Sequence, residues 1–178
     1  MNESVNYCAF LRGVNVNGTT MKMAEVCHLF TKLGLDHVTS VLASGNILFS
    51  SNRDLNELRN LIENQLSDHF QYDAHVFLKS KLELESIVKN VPFQKQNDCQ
   101  TYVFIADEKE TQEIFFEYEK CEHQTNESGS IINTTFYWQL PKKQTLNSEF
   151  GKILGKKKFK DKFTSRNINT VEKIGAKF

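Results

Sequence analysis

Three observations predict an α+β chain of two similar halves. Short apolar runs alternate with segments of helical spacing, some of the runs come in pairs joined by turn residues, and the same order recurs along the chain. Hairpins mixed with helices exclude a doubly wound parallel sheet. They favour two tandem split-βαβ, ferredoxin-like units, each a mainly antiparallel sheet with two helices on one face.

Residues 5–11, rich in aromatic and β-branched side chains, read as a buried strand. Arg12-Gly13-Val14-Asn15-Val16-Asn17-Gly18 follows as a turn-rich loop. Met23, Val26, Cys27, Phe30 and Leu33 then recur at helical spacing, and Gly34 is placed to stop the helix. Residues 37–42 and 47–51 are two short strands around Ala43-Ser44-Gly45-Asn46. Residues 54–70 form a second amphipathic helix with Leu55, Leu58, Ile62 and Leu66 on one face, and residues 75–79 are strand-like. Ser80 and Glu83 make a capping box for a helix over 80–90, ended by Pro92.

The second half repeats the pattern with a strand at 102–106, then a helix to about Lys120 opened by a capping box of Asp107 and Glu110. A polar loop is expected at 122–130, strands at 131–135 and 136–140, and a helix at 148–159. The boundaries follow: a first half over residues 1–79, a connecting helix and linker over 80–97, and a second half over 98–178 with a basic C-terminal segment.

The chain has 178 residues, 39% hydrophobic and 25% charged, with 22 basic and 22 acidic side chains. That is a globular composition, and the apolar runs are too short to span a bilayer. No charged-then-apolar leader opens the chain, so a cytoplasmic protein is expected. The four cysteines fit no zinc spacing and read as free thiols; neither metal nor cofactor is expected. Charge is unevenly spread. Residues 142–178 hold eleven Lys/Arg against three Asp/Glu, a net of +8 that the rest of the chain balances. A nucleic-acid face fits this asymmetry, and so does an acidic part facing a basic part of the same molecule.

Three polar patches stand out. In the first, from Arg12 to Lys22, glycines relax the backbone while Asn15, Asn17, Gly18 and Lys22 gather near a positive helix end, where a phosphate or carboxylate is favoured. The spacing is neither GxGxxG nor GxxxxGK[ST]. The second, Ser44-Gly45-Asn46, also reads as a plain tight turn. In the third, Thr164-Ser165-Arg166-Asn167-Ile168-Asn169-Thr170, Arg166 offers a planar fork for an anion, with Asn167 and Asn169 beside it; helix capping by Ser165 or Asn167 is the structural alternative.

The run Tyr7-Cys8-Ala9-Phe10-Leu11-Arg12-Gly13-Val14-Asn15-Val16, the stretch Lys22-Met23-Ala24-Glu25, Ser44-Gly45-Asn46, and Thr164-Ser165-Arg166-Asn167 with Asn169-Thr170-Val171 resemble the domain of unknown function 1697 family. The resemblance implies a cytosolic bacterial protein of two related α+β halves, without an activity or a catalytic residue. The chain departs from the family pattern at Asn17, where a glycine is common, and at Ile168, where a tryptophan is common.

Because the three patches coincide with the signature segments, the expected function is binding of a small anionic or phosphate-bearing ligand in a cleft they share. The ligand set is Arg12, Asn15, Asn17, Gly18, Lys22, Ser44, Asn46, Arg166, Asn167 and Asn169. No nucleophile elbow or HExxH motif accompanies them, so whether chemistry follows binding stays open. The alternative is an RNA- or DNA-binding module with Tyr102, Phe104, Tyr137 and Trp138 stacking and the basic segment holding phosphates, although no RNP1-like motif is present.

Overall fold

The computed structural model describes residues 3–14 and 21–178. Elements run β1 (Val5–Leu11), α1 (Met23–Lys32), β2 (Asp36–Ser40), β3 (Asn46–Ser51), α2 (Leu55–Phe70), β4 (Val76–Ser80) and α3 (Lys81–Lys89). They continue with β5 (Cys99–Ala106), α4 (Glu108–Glu119), β6 (Ser128–Ile132), β7 (Thr135–Pro141), α5 (Glu149–Leu154), β8 (Phe163–Asn167) and α6 (Ile168–Gly175). Two four-stranded antiparallel sheets result, ordered β2-β3-β1-β4 and β6-β7-β5-β8. The chain is an α+β protein of two tandem split-βαβ halves. It divides into one compact unit that ends at Glu85 and includes Lys173–Phe178, and a second, Ser86–Glu172.

In the first unit β1 is central, and register fixes what each sheet face carries. Tyr7 lies opposite Phe49, Ala9 opposite Ile47 and Leu78, and Leu11 opposite Val76. Strand alternation turns these residues to one side, where Val26 and Phe30 of α1 and Leu58, Ile62 and Leu66 of α2 cover them. Phe30 meets Phe49 edge to face at 5.6 Å. Asp54 caps α2 through its carboxylate, which accepts from the Asn56 and Glu57 N–H groups. Gly34 takes a left-handed conformation just beyond α1, as its position implies.

The second unit packs Phe104, Phe136, Trp138 and Leu140 from the sheet against Ile114 and Tyr118 of α4 and Phe150 of α5. The rings offered for nucleic-acid stacking are therefore mostly core: Phe104, Tyr137 and Trp138 are buried, and only Tyr102 is half-exposed. The polar tips of two of them are satisfied inside the fold. The Trp138 indole N–H donates to the Glu127 carboxylate at 2.9 Å, and the Tyr137 hydroxyl donates to the Ile87 carbonyl at 2.9 Å.

Several sequence expectations are corrected. The helix expected at 148–159 ends at Leu154, gives way at Gly155, and is followed by a single 3-10 turn at Lys157–Phe159. The polar loop ends at Ser128, where β6 already pairs with Gln139 of β7. Asp107 stands at the N-cap of α4, but its side chain makes no capping hydrogen bond, so the expected box with Glu110 is not formed. Thr111 closes that turn instead, its N–H and hydroxyl both donating to the Asp107 carbonyl. The capping box at Ser80 and Glu83 does form, each residue bonding the other's backbone N–H. Strand β8 lies where only a polar patch was read, because an edge strand spelled Phe-Thr-Ser-Arg-Asn carries little apolar alternation. No described helix is long and apolar enough to cross a membrane.

Candidate functional site

Each unit holds one group of the predicted residues. In the first unit, Asn15, Asn17 and Gly18 lie outside the described residues. The loop's beginning and the Ser44–Asn46 turn are brought together: the Leu11 N–H donates to the Gly45 carbonyl at 2.7 Å, and the Arg12 N–H donates to the His75 carbonyl at 3.1 Å. Gly45 is left-handed (φ +73°), and a Cβ on it would stand 2.7 Å from the Val14 side chain.

Asn46 is fully buried, and its amide N–H groups donate to the Val41 carbonyl at 2.9 Å and the Ser44 hydroxyl at 3.0 Å. That side chain closes the hairpin from within. Lys22, exposed, is the N-cap of α1 and supplies no side-chain cap. Tyr72 lies beside Gly13, its ring 3.5 Å from where a Cβ on that glycine would be. Its buried hydroxyl has no hydrogen-bond partner among the described residues, and burial, aided by Glu63, pushes its pKa up to about 12.

In the second unit, Arg166, Asn167 and Asn169 stand at the junction of β8 with α6. The Asn167 side-chain oxygen accepts the Asn169 N–H at 3.0 Å and thereby caps α6. The Arg166 guanidinium donates locally, to the Thr164 hydroxyl at 2.6 Å and the Ser165 carbonyl at 3.0 Å. Asn167 and Asn169 line a pocket of about 160 Å³.

The rest of that pocket was not foreseen. Lys95 and Lys142 contribute two cations, and Gln100, Thr101 and Gln139 contribute polar walls from β5 and β7. Gln139 is buried opposite Thr101 in the β5–β7 register, its amide donating to the Thr101 hydroxyl at 3.0 Å and the Gln94 carbonyl at 3.1 Å. A polar residue inside the run Phe136–Leu140 was the available signal for it. No acidic side chain lines the pocket. The Lys95 ammonium has Glu172 at 3.9 Å, an exposed pair of small energetic weight. The pocket therefore combines two ammonium groups, several carboxamides and the positive end of α6, a combination suited to an anion.

Two lysines of the basic segment answer acids of α4 in their own unit. Lys158 reaches Glu117 at 3.0 Å and Lys162 reaches Glu113 at 3.0 Å, so α4 and the basic segment face each other with opposite charge.

The chain matches the family model described as "Protein of unknown function (DUF1697)" over residues 5–137. Among solved structures it is similar to "conserved bacterial protein SP0830 from Streptococcus pneumoniae", at 25% identity and a TM-score of 0.82, with 98% of each chain covered. No curated protein is significantly similar to it.

Proposed function

We propose that this chain, which belongs to the family of proteins of unknown function DUF1697, binds a small anionic ligand carrying a phosphate or carboxylate. The observation that supports the reading is the acid-free pocket of the second unit, where Lys95 and Lys142 meet Asn167 and Asn169 at the start of α6. Its 160 Å³ is below the range of roughly 300–1,000 Å³ common for drug-sized ligands, so it suits a small anion or the charged end of a larger molecule. Lysine ammonium groups supply charge without fixed geometry, while the carboxamides supply directional donors. Arg12 and Lys22 in the first unit and Arg166 in the second belong to the same proposal as further anion-holding groups.

The test is thermal unfolding with inorganic phosphate titrated against chloride of equal ionic strength. A ligand at a hundred times its Kd stabilises by about 2.7 kcal/mol. We expect a saturable rise in Tm with phosphate that is lost in Lys95→Gln/Lys142→Gln and reduced in Asn169→Ala. A rise no greater than chloride gives, or one the double variant retains, refutes the assignment.

A further inference from the structure

The pocket of the second unit has one wall that is neither charged nor exposed. Gln139 and Thr101 stand opposite each other in the β5–β7 register, and each is 6% exposed. Phe136, Trp138 and Leu140 turn to the core beneath α4 and α5, so strand alternation sends Gln139 to the other sheet face. Lys95, Lys142 and Asn169, by contrast, are exposed and keep water around them with or without a ligand.

The hydrogen bonds of the buried wall fix what it can offer. A backbone carbonyl only accepts, so the bond from Gln139 to the Gln94 carbonyl at 3.1 Å sets which end of the carboxamide is nitrogen. The amide also donates to the Thr101 hydroxyl at 3.0 Å. Both donors of Gln139 are therefore committed. Its side-chain oxygen, which can only accept, has no hydrogen-bond partner among the described residues. Thr101, accepting from Gln139, keeps its own hydroxyl proton as a donor. Asn167, whose oxygen accepts the Asn169 N–H, keeps its amide N–H groups. The pocket thus sets one fixed, buried acceptor among ammonium groups and hydrogen-bond donors.

We propose that the anion taken by this pocket brings a proton of its own: a phosphate or phosphomonoester bound with one oxygen as P–OH. This assignment rests on the anion reading of the pocket and narrows it to a ligand class. The charged oxygens meet Lys95, Lys142, Thr101 and Asn167, and the P–OH donates to the Gln139 oxygen. A sulfate has the same size and shape but no proton at this pH. Seated in the pocket, it would cover the Gln139 oxygen without bonding it and set acceptor against acceptor. Sites built around a ligand O–H reject analogues that lack one. Charge alone orders the two anions the other way near pH 6, where sulfate is the more highly charged.

The test is isothermal titration calorimetry of the full chain at pH 6, with sodium phosphate and sodium sulfate at matched ionic strength. Phosphate should bind tighter than sulfate by about tenfold or more. Lys95→Gln/Lys142→Gln should lose both anions. Gln139→Met keeps the length of the side chain and removes its oxygen, so it should bring phosphate down to the affinity of sulfate. Trp138 fluorescence checks that this variant is folded; if it is not, the wild-type ratio decides. Equal or tighter binding of sulfate by the wild type, with both anions lost in the lysine variant, overturns this assignment and leaves the anion reading standing. A preference for phosphate that folded Gln139→Met retains also overturns it. Binding of neither anion, or undiminished binding in the lysine variant, refutes the anion reading itself and this assignment with it.

Discussion

Phe150 on α5 is the side chain on which the second unit's core converges. It is fully buried, with its ring centroid 5.1 Å from Tyr118 and from Trp138, 5.8 Å from Phe136 and 6.2 Å from Phe104. Phe150→Ala removes a ring whose neighbours are anchored in two β-strands, β5 and β7, and in helix α4, and are poorly able to collapse inward. Losing the transfer energy of the ring costs about 2 kcal/mol. A residual cavity of about 80 Å³ at about 24 cal/mol per Å³ adds about 2 more, within the 3–5 kcal/mol expected of such truncations. Trp138 is the single tryptophan, so its fluorescence during urea unfolding reports this unit directly. The midpoint should fall with little change in slope, and benzene should restore part of the loss by filling a dry cavity. A loss under about 1 kcal/mol would mean that the aromatic cluster repacks freely and is not a close-packed core.

The remaining predictions concern backbone and charge. Gly45→Ala should cost about 1–3 kcal/mol by thermal unfolding, from its left-handed φ and the clash with Val14, whereas Gly175→Ala, with open space around it, should be neutral or slightly stabilising. Burial raises the Glu83 pKa, but bonds from the Ser80 N–H, Lys79 and the Ser80 hydroxyl outweigh it and hold the carboxyl below its ordinary value of 4.5. Because the folded-state pKa is depressed, the stability Glu83 contributes is present above pH about 4.5 and is lost as pH falls through the folded value. Glu83→Gln, which keeps the capping box but loses the half-exposed pair with Lys79, should cost only about 0.2–0.5 kcal/mol near neutral pH and show a shallower acid dependence than the wild type in urea midpoints measured from pH 6 to 3.

Local signals were enough for much of this protein. Met23, Val26, Phe30 and the Leu58-Ile62-Leu66 row disclose α1 and α2 because a helix repeats its contacts within four residues. The capping pair Ser80 and Glu83, the stop at Gly34 and the turn at Gly45 are likewise settled between near neighbours. From these, two antiparallel α+β halves could be read. The polar segments were also picked out by sequence, and Asn167 and Asn169 do line a pocket.

What makes that pocket cationic depended on long-range register. Lys95 and Lys142 are far apart in sequence and share a wall only because β5 pairs with β7, placing Cys99 opposite Pro141 and Thr101 opposite Gln139. The bulge at His37 arises from a slip between β2 and β3, which neither strand encodes alone. Strand β8 gains its place from pairing with buried β5, and its own Thr, Ser, Arg and Asn carry no strand signal. Helix contacts and caps close within a few residues, so composition along the chain reports them. Sheet partners are chosen across tens of residues by whichever register buries both apolar faces at once, and that choice is made only when the chain is folded.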